Sequence, residues 1–135
     1  MKNEIKKGKR EETKRQHGKI LLIVNPCSGR MQANDYIGKV SILFAEHGYD
    51  TIVYITRQRD DAINGIKRYF DMVDLVVCMG GDGTLNETIT GVLELGGKKP
   101  VGYIPSGSTN DFANTLGLSN KIMTAAKDIV NGRVK

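Results

Sequence analysis

Three glycines flank one acid in the run Gly80-Gly81-Asp82-Gly83. Because glycine has no side chain, this backbone can bring its N–H groups close to anionic oxygens. A helix predicted to begin near Thr84 adds free N–H groups and the positive end of its dipole. The Asp82 carboxylate repels phosphate, but it is suited to hold Mg²⁺ or to accept the proton of an attacking hydroxyl. The pattern predicts an anion site that serves phosphoryl transfer.

Two common nucleotide motifs are excluded by the residues around this glycine motif, which we define as residues 80–87. No Gly-x-x-x-x-Gly-Lys-Ser/Thr run occurs, which argues against a P-loop. Asn86 stands where a dinucleotide fingerprint counted from Gly81 needs its third glycine, and the motif follows the third predicted strand instead of the first. The alternative is that the glycines only form a tight turn. The acid between them, and the Thr, Asn and Glu that follow, favour a binding function.

Short β-branched apolar runs alternate with amphipathic segments from residue 19 onward. This alternation is typical of an α/β domain with an open parallel sheet and helices on both faces. The predicted strands are residues 19–24, 51–56, 74–79 and 101–104. The predicted helices are residues 34–47, residues 60–70, a segment marked by Leu85, Ile89, Val92 and Leu93, a short turn at residues 112–116, and residues 119–131. The glycines expected to end helices in a left-handed conformation are Gly48, Gly96, Gly97 and Gly132.

Polar loops follow the carboxyl ends of all four predicted strands, at residues 25–30, 56–59, 80–87 and 105–111. In an open parallel sheet these ends lie along one edge, where ligands bind, so the loops are expected to line one crevice. Other roles stay open for individual residues. The pair at residues 25–26 could simply end a strand, and the pair at residues 110–111 could cap a helix. Arg57 and Arg59 could contact phosphates, but solvation is the simpler expectation.

The net charge of +5 is concentrated at the N-terminus. Residues 1–19 hold eight Lys or Arg and three Glu, whereas the remaining residues hold twelve of each sign. We therefore expect residues 1–18 to be a solvated basic tail and residues 19–135 to form one domain, with no nucleic-acid partner. The sequence has neither an apolar run long enough for a membrane span nor a signal peptide, and its two Cys and two His match no zinc pattern. A cytoplasmic protein is the prediction.

Three blocks of this sequence resemble the diacylglycerol kinase catalytic domain, the family that includes bacterial diacylglycerol kinases and the sphingosine and ceramide kinases. The first is the glycine motif. The second, residues 25–29, is similar to the family's Asn-Pro-x-Ser-Gly loop, and the third, residues 105–113, to its Pro-x-Gly-Thr-x-Asn-Asp-Phe-Ala segment. Ser108 replaces the usual Thr but keeps a hydroxyl, and Thr109 stands where many members have Gly.

The resemblance implies a nucleotide site with Asp82 as the catalytic residue beside the transferred phosphate. The residues that it places around the nucleotide are Asn25, Pro26, Cys27, Ser28, Gly29, Thr56, Gly80, Gly81, Asp82, Gly83, Thr84, Leu85, Asn86, Glu87 and Ser108. It also implies ATP and Mg²⁺ as cofactors. Asp82 is a candidate metal ligand, and the main metal ligands are expected in a second domain.

That second domain is β-rich in the family, where it helps to form the lipid cleft and, in bacterial enzymes, supplies a proposed catalytic base. The chain is therefore expected to be the nucleotide-binding part of a kinase that transfers the ATP γ-phosphoryl group to diacylglycerol or a similar lipid, in peripheral contact with the inner membrane face. Two alternatives stay open. NAD kinases and phosphofructokinases share the Gly-Gly-Asp-Gly core, so a soluble-metabolite kinase is one, and a nucleotide-binding module without activity is the other.

Overall fold

The computed structural model describes residues 18–26, 34–106 and 115–132, with the backbone alone for residues 115–120. Residues 1–17 of the predicted tail lie outside the described residues, as do Cys27, Ser28, Gly29 and Ser108. The elements in chain order are β1 (Gly18–Val24), α1 (Ile37–Glu46), β2 (Tyr49–Ile55), α2 (Asp61–Tyr69), a 3₁₀ turn (Phe70–Met72), β3 (Leu75–Gly80), α3 (Asp82–Glu94), β4 (Val101–Pro105) and α4 (Thr115–Val130).

The four strands form one parallel sheet in the order β2-β1-β3-β4. β1 lies inside the sheet, where Leu22 pairs with Val53 of β2 on one side and with Val77 of β3 on the other. Its residues from Ile20 to Val24 are fully buried, as expected for a continuous apolar run covered on both faces. The predicted α/β fold with an open parallel sheet is confirmed.

Each face of the sheet has its own hydrophobic core, because successive side chains of a strand point to opposite faces. Ile20 and Leu22 of β1 pack in the core that α1 and α4 cover, around the fully buried Phe44. Leu21 and Ile23 pack in the second core, which α2 and α3 cover. The helices therefore lie on both faces, as predicted. No helix within the described residues is long and apolar enough to cross a membrane.

The predicted helix boundaries are corrected at two places. α3 begins at Asp82, not near Thr84, so Gly81 alone separates it from β3. α4 begins at Thr115 and includes residues that were predicted as the end of a separate short turn. The helix-ending glycines are confirmed, with φ values of 92° at Gly48 and 82° at Gly132 in the left-handed region.

The buried face of α3 differs from the one that its apolar residues predict. Its buried residues are Thr84, Thr88, Gly91 and Val92. Of the predicted apolar positions, Leu93 is 65% exposed and Ile89 is 40% exposed. The reason is the close packing of α3 on α2: a Cβ added at Gly91 would lie 3.1 Å from the Ile66 Cδ1 atom, so only small residues fit there.

Candidate functional site

The carboxyl ends of β1 and β3 form a topological switch point. From β1 the chain continues to β2 on one side of the sheet, whereas from β3 it continues to β4 on the other. In open α/β sheets, ligands bind in the crevice that opens at such a point. Here Asn25 spans the crevice: its main-chain N–H donates to the Met79 carbonyl at 3.2 Å, and its Nδ2 donates to the Thr84 Oγ1 at 3.1 Å. The residue that follows β1 is thus fixed to the helix that follows β3.

A cavity of about 540 Å³ lies beside this link. Its lining residues are Asn25, Pro26, Ile55, Thr56, Arg57, Gln58, Arg59, Thr84 and Glu87. The loops after β1, β2 and β3 therefore meet in one crevice, as the sequence predicts for them. Residues 107–111 of the fourth predicted loop lie outside the described residues. The volume is in the range of small-molecule sites in proteins. Five predicted nucleotide-binding residues line the cavity, and these are Asn25, Pro26, Thr56, Thr84 and Glu87.

The glycine motif continues from Gly80, the last residue of β3, into the N-terminus of α3 next to the cavity. The first main-chain hydrogen bond of the helix runs from the Leu85 N–H to the Gly81 carbonyl at 3.1 Å. The N–H groups before Leu85 thus precede the helical hydrogen-bond pattern, and Gly81 provides no side-chain cap. Asp82, the first helical residue, is exposed at this end. The arrangement offers main-chain donors and a dipole to an anion, with one carboxylate beside them.

The three glycines of the motif are not explained by backbone strain. Gly81 has a φ of −97°, and none of the three has a φ in the left-handed region. A Cβ added at Gly83 would meet nothing within 4 Å, whereas one at Gly80 would lie 3.0 Å from the Thr84 side chain. Packing thus accounts for Gly80, but neither packing nor torsion angles account for Gly83. The structure therefore leaves open space beside the Gly83 backbone.

Thr56 is buried and forms part of the cavity wall. Its main-chain N–H and its hydroxyl both donate to the Val24 carbonyl, at 2.9 and 3.3 Å. These bonds join the end of β2 to the end of β1. The hydroxyl oxygen keeps lone pairs for accepting hydrogen bonds while its proton is engaged.

Asp61 holds the loop that forms the arginine-bearing side of the cavity, and the sequence did not single it out. Its side chain is only 7% exposed. It accepts hydrogen bonds from the Arg57 N–H at 2.8 Å, the Tyr54 hydroxyl at 2.9 Å and the Asn64 Nδ2 at 3.2 Å. The Arg57 Nε lies 3.8 Å away, on a side chain that is 80% exposed. The loop is therefore fixed through its main chain, and the Arg57 guanidinium stays open to solvent beside the cavity.

The pKa of the Asp61 carboxyl is lowered from its ordinary value of 3.8. The hydrogen bond from the Arg57 N–H is the largest cause, and burial opposes it. Hydrogen bonds from Tyr54 and Asn64 and the charge of Arg57 lower the pKa further. A lowered pKa means that the folded protein favours the ionised carboxylate. The ionised Asp61 side chain therefore stabilises the fold.

Asp61→Asn is expected to lower the free energy of unfolding by about 1–3 kcal/mol at pH 7, because an amide cannot accept all the hydrogen bonds that the carboxylate accepts. The unfolded carboxyl protonates first as the pH falls. The contribution of Asp61 is therefore complete above about pH 4 and is lost as the pH falls through the lower folded pKa. Urea unfolding at pH 7 and at steps down to pH 3 measures the difference between wild type and variant, which should shrink in acid.

The matched control for this experiment is Asp60→Asn. Asp60 is the exposed neighbour, with a φ of 69° and no side-chain capping bond, and asparagine tolerates that conformation well. Its effect should stay within about 0.5 kcal/mol. An Asp61→Asn variant as stable as wild type at pH 7 would contradict the role of the carboxylate.

Two further titratable side chains lie near the glycine motif. Burial raises the pKa of the Cys78 thiol to about 12, so this cysteine stays protonated and unreactive. The pKa of Tyr103 is raised by burial first and then by the charge of Asp82. Within the described residues, no three His, Cys, Asp or Glu side chains converge as a metal site.

The fold and the site together define the class of this domain: a doubly wound α/β domain whose binding crevice opens at the switch point of a parallel sheet. The family follows from comparison with known proteins. Residues 19–135 match the model of the diacylglycerol kinase catalytic domain. The chain belongs to this family, and the resemblance seen in the sequence is confirmed.

The relatives that this chain is similar to are longer. It is 37% identical over 113 residues to the diacylglycerol kinase of Bacillus subtilis strain 168, and this match covers 82% of the chain and 37% of the relative. For the diacylglycerol kinase of Staphylococcus aureus strain MRSA252 the identity is 35% over 112 residues, covering 82% and 36%. A crystal structure of a diacylglycerol kinase from Bacillus anthracis strain Sterne superposes with a TM-score of 0.68 at 34% identity, covering 85% and 42%. The chain thus spans little more than a third of these curated relatives.

Proposed function

We propose that this chain is the nucleotide-binding domain of an ATP-dependent lipid kinase. The observation that carries the proposal is the N-terminus of α3. It lies at the switch point, lacks a side-chain cap and begins with an exposed carboxylate, Asp82. A helix end of this kind is suited to bind phosphate groups, and a carboxylate beside it is suited to phosphoryl transfer.

The geometry supports one orientation of ATP. Its phosphates lie against the main-chain N–H groups of residues 81–84, where both the donors and the open space at Gly83 are found. Its nucleoside lies in the cavity, because Pro26 and Ile55 provide apolar surface for a base while Asn25 and Glu87 provide polar atoms for a sugar.

Asp82 is the residue that fits a magnesium ion at the phosphate end. Mg²⁺ is usually held by one or two carboxylates together with substrate phosphates and waters, so a single carboxylate at an anion-binding helix end suits it. When bound, Mg²⁺ neutralises charge that develops on the transferred phosphoryl group. Asp82 would orient that ion, or accept the proton of the attacking hydroxyl, and the N–H groups of α3 would hold the phosphate oxygens.

The acceptor in this proposal is diacylglycerol or a similar lipid. It rests on the family and on the printed names of the relatives, which are diacylglycerol kinases. A second, β-rich domain would complete the lipid cleft and supply the main metal ligands. The kinase would be cytoplasmic and would reach its substrate by peripheral contact with the inner membrane face.

Calorimetric titration of the chain with ATP and Mg²⁺ tests the nucleotide site, and Gly83→Ala is the sharpest variant. The variant should be at least as stable as wild type, because the added methyl group meets no protein atom. Alanine also has a higher helix propensity than glycine, which would stabilise α3 by up to about 1 kcal/mol. The same methyl group would occupy the space of a bound phosphate. We expect at least about a tenfold loss of ATP affinity, equivalent to 1.4 kcal/mol.

Thr124→Ala, an exposed change in α4, serves as the matched control and should leave ATP affinity unchanged. Absence of ATP binding to wild type would contradict the nucleotide site. The acceptor is tested separately on the complete gene product, with diacylglycerol and NAD offered as competing substrates. Phosphorylation of NAD alone would favour the soluble-metabolite alternative.

A further inference from the structure

Tyr103 belongs to β4, and its side chain lies near the phosphate end of the proposed site. Its neighbours in β4, Gly102 and Ile104, face the core beneath α4: a Cβ at Gly102 would lie 2.8 Å from the Ile129 Cδ1. Because side chains alternate along a strand, Tyr103 points to the opposite face, which α3 covers. It is half-buried there, beside the start of that helix.

The Tyr103 hydroxyl makes a specific contact with the glycine motif. It donates to the Gly80 carbonyl at 3.2 Å, and the Ser106 main-chain N–H donates to the same carbonyl at 3.0 Å. Two donors, one in β4 and one directly after it, thus hold the last residue of β3, which Gly81 alone separates from α3. A shift of the Gly80 carbonyl would move Gly81 and Asp82 with it, since Gly81 alone links strand and helix.

The electrostatics of Tyr103 agree with this contact. Burial is the largest cause that raises the pKa of Tyr103, and the negative charge of Asp82 is the next. The phenol therefore stays protonated and remains a donor to the Gly80 carbonyl.

We propose that Tyr103 is a positioning residue of the phosphate end, whose hydroxyl holds the Gly80 carbonyl and thereby fixes Gly81 and Asp82 at the start of α3. The inference rests on the proposed nucleotide site for its functional meaning. The contact with the glycine motif stands on the hydrogen-bond geometry alone. Tyr103 would act through the main chain at Gly80 and would not itself touch the nucleotide.

Tyr103→Phe tests the inference because it removes the hydroxyl and keeps the ring. We expect Mg²⁺·ATP to bind about tenfold more weakly to the variant, and adenosine to bind either protein equally, since only the phosphate end depends on the hydroxyl. In a cycle with Asp82→Asn, the two losses should not add, because the Tyr103 hydroxyl acts on Mg²⁺·ATP by fixing the position of Asp82. The control is Tyr69→Phe, a half-buried tyrosine at the end of α2 whose ring packs against Tyr54.

Two results would overturn the inference. One is an unchanged affinity for Mg²⁺·ATP. The other is an equal loss for adenosine, which would indicate a general structural role. Amide ¹H–¹⁵N spectra without ligand decide the contact independently: Tyr103→Phe must shift the resonances of residues 80–83, and Tyr69→Phe must not. Unshifted resonances would refute the contact whatever the chain binds, whereas shifted resonances in a chain that binds no ATP would support the contact and refute the nucleotide site.

Discussion

Asp82→Asn is expected to lower kinase turnover about a thousandfold, within the range known for a positioned acid or base. Asparagine has nearly the same shape, but it neither neutralises a magnesium ion nor accepts a proton. The carboxylate lies at the first residue of α3, where bound phosphates would be nearest. Turnover is measured with diacylglycerol and Mg²⁺·ATP on the complete gene product, because the chain spans 37% of its Bacillus subtilis relative.

The fold should tolerate this change. A negative charge in the first turn stabilises a helix by about 0.3–1 kcal/mol, so the loss of stability should not exceed that amount. Affinity for ATP without Mg²⁺ should not fall, because Asp82 repels phosphate, but added Mg²⁺ should no longer strengthen binding. These measurements distinguish a catalytic role from a structural one.

Asp71→Asn provides the matched control. Asp71 is an exposed carboxylate in the 3₁₀ turn that precedes β3. It therefore lies near the amino end of β3, whereas the glycine motif follows the carboxyl end. Its replacement should leave turnover within a factor of about two, as for a surface change away from any site. Near-normal turnover of Asp82→Asn would end the assignment of Asp82 as the catalytic residue.

Phe44→Ala is expected to lower the free energy of unfolding by about 3–5 kcal/mol. Phe44 is fully buried between α1 and the sheet, in the core that contains Ile20 and Leu22 of β1. Alanine would leave a cavity that the two layers can only partly close. Domains are commonly stable by about 5–15 kcal/mol, so this single change would remove a large part of the total.

Urea unfolding followed by circular dichroism measures the loss. Ile42→Ala on the same helix is the control, because Ile42 is 61% exposed and its truncation removes little buried surface. Its effect should stay within about 0.5 kcal/mol. If both variants lost the same free energy of unfolding, the role of Phe44 in the core beneath α1 would be contradicted. That core holds β1, and therefore also Asn25, in place.

The positions of the strands and of several helix ends along the chain could largely be predicted, because the relevant patterns are local. The apolar run of β1 predicted an inner strand, and burial of residues 20–24 on both faces confirms it. Gly48 and Gly132 predicted helix ends, and both have positive φ values. Each feature depends on a few neighbouring residues, so the sequence displays it directly.

The buried face of α3 could not be predicted in the same way. Of its four apolar marker residues Leu85, Ile89, Val92 and Leu93, only Val92 is buried, and the other buried residues are Thr84, Thr88 and Gly91. The close approach of α2 contributes to this, because a Cβ added at Gly91 would lie 3.1 Å from the Ile66 Cδ1. Which helix is the neighbour depends on contacts distant in sequence, and no periodicity within α3 records them.

The roles of the side chains that support the site could not be predicted from the sequence either. Asp61 is one acid among fifteen Asp and Glu residues, and Tyr103 resembles any aromatic residue of a strand. Folding gives each its role: Asp61 meets the Tyr54 hydroxyl and the Arg57 N–H, and Tyr103 meets the Gly80 carbonyl. Hydrogen bonds between separate elements exist only once those elements are packed.

The sequence by itself determined the parallel α/β class, the family and the position of the glycine motif, since all three follow from local patterns of residue type. The tertiary structure decided the rest. It placed the ends of β1 and β3 side by side, joined Asn25 to Thr84, and set Asp82 at the start of a helix next to a cavity. The physical reason is that strand order and helix packing are chosen by burial over the whole domain, which no single segment encodes.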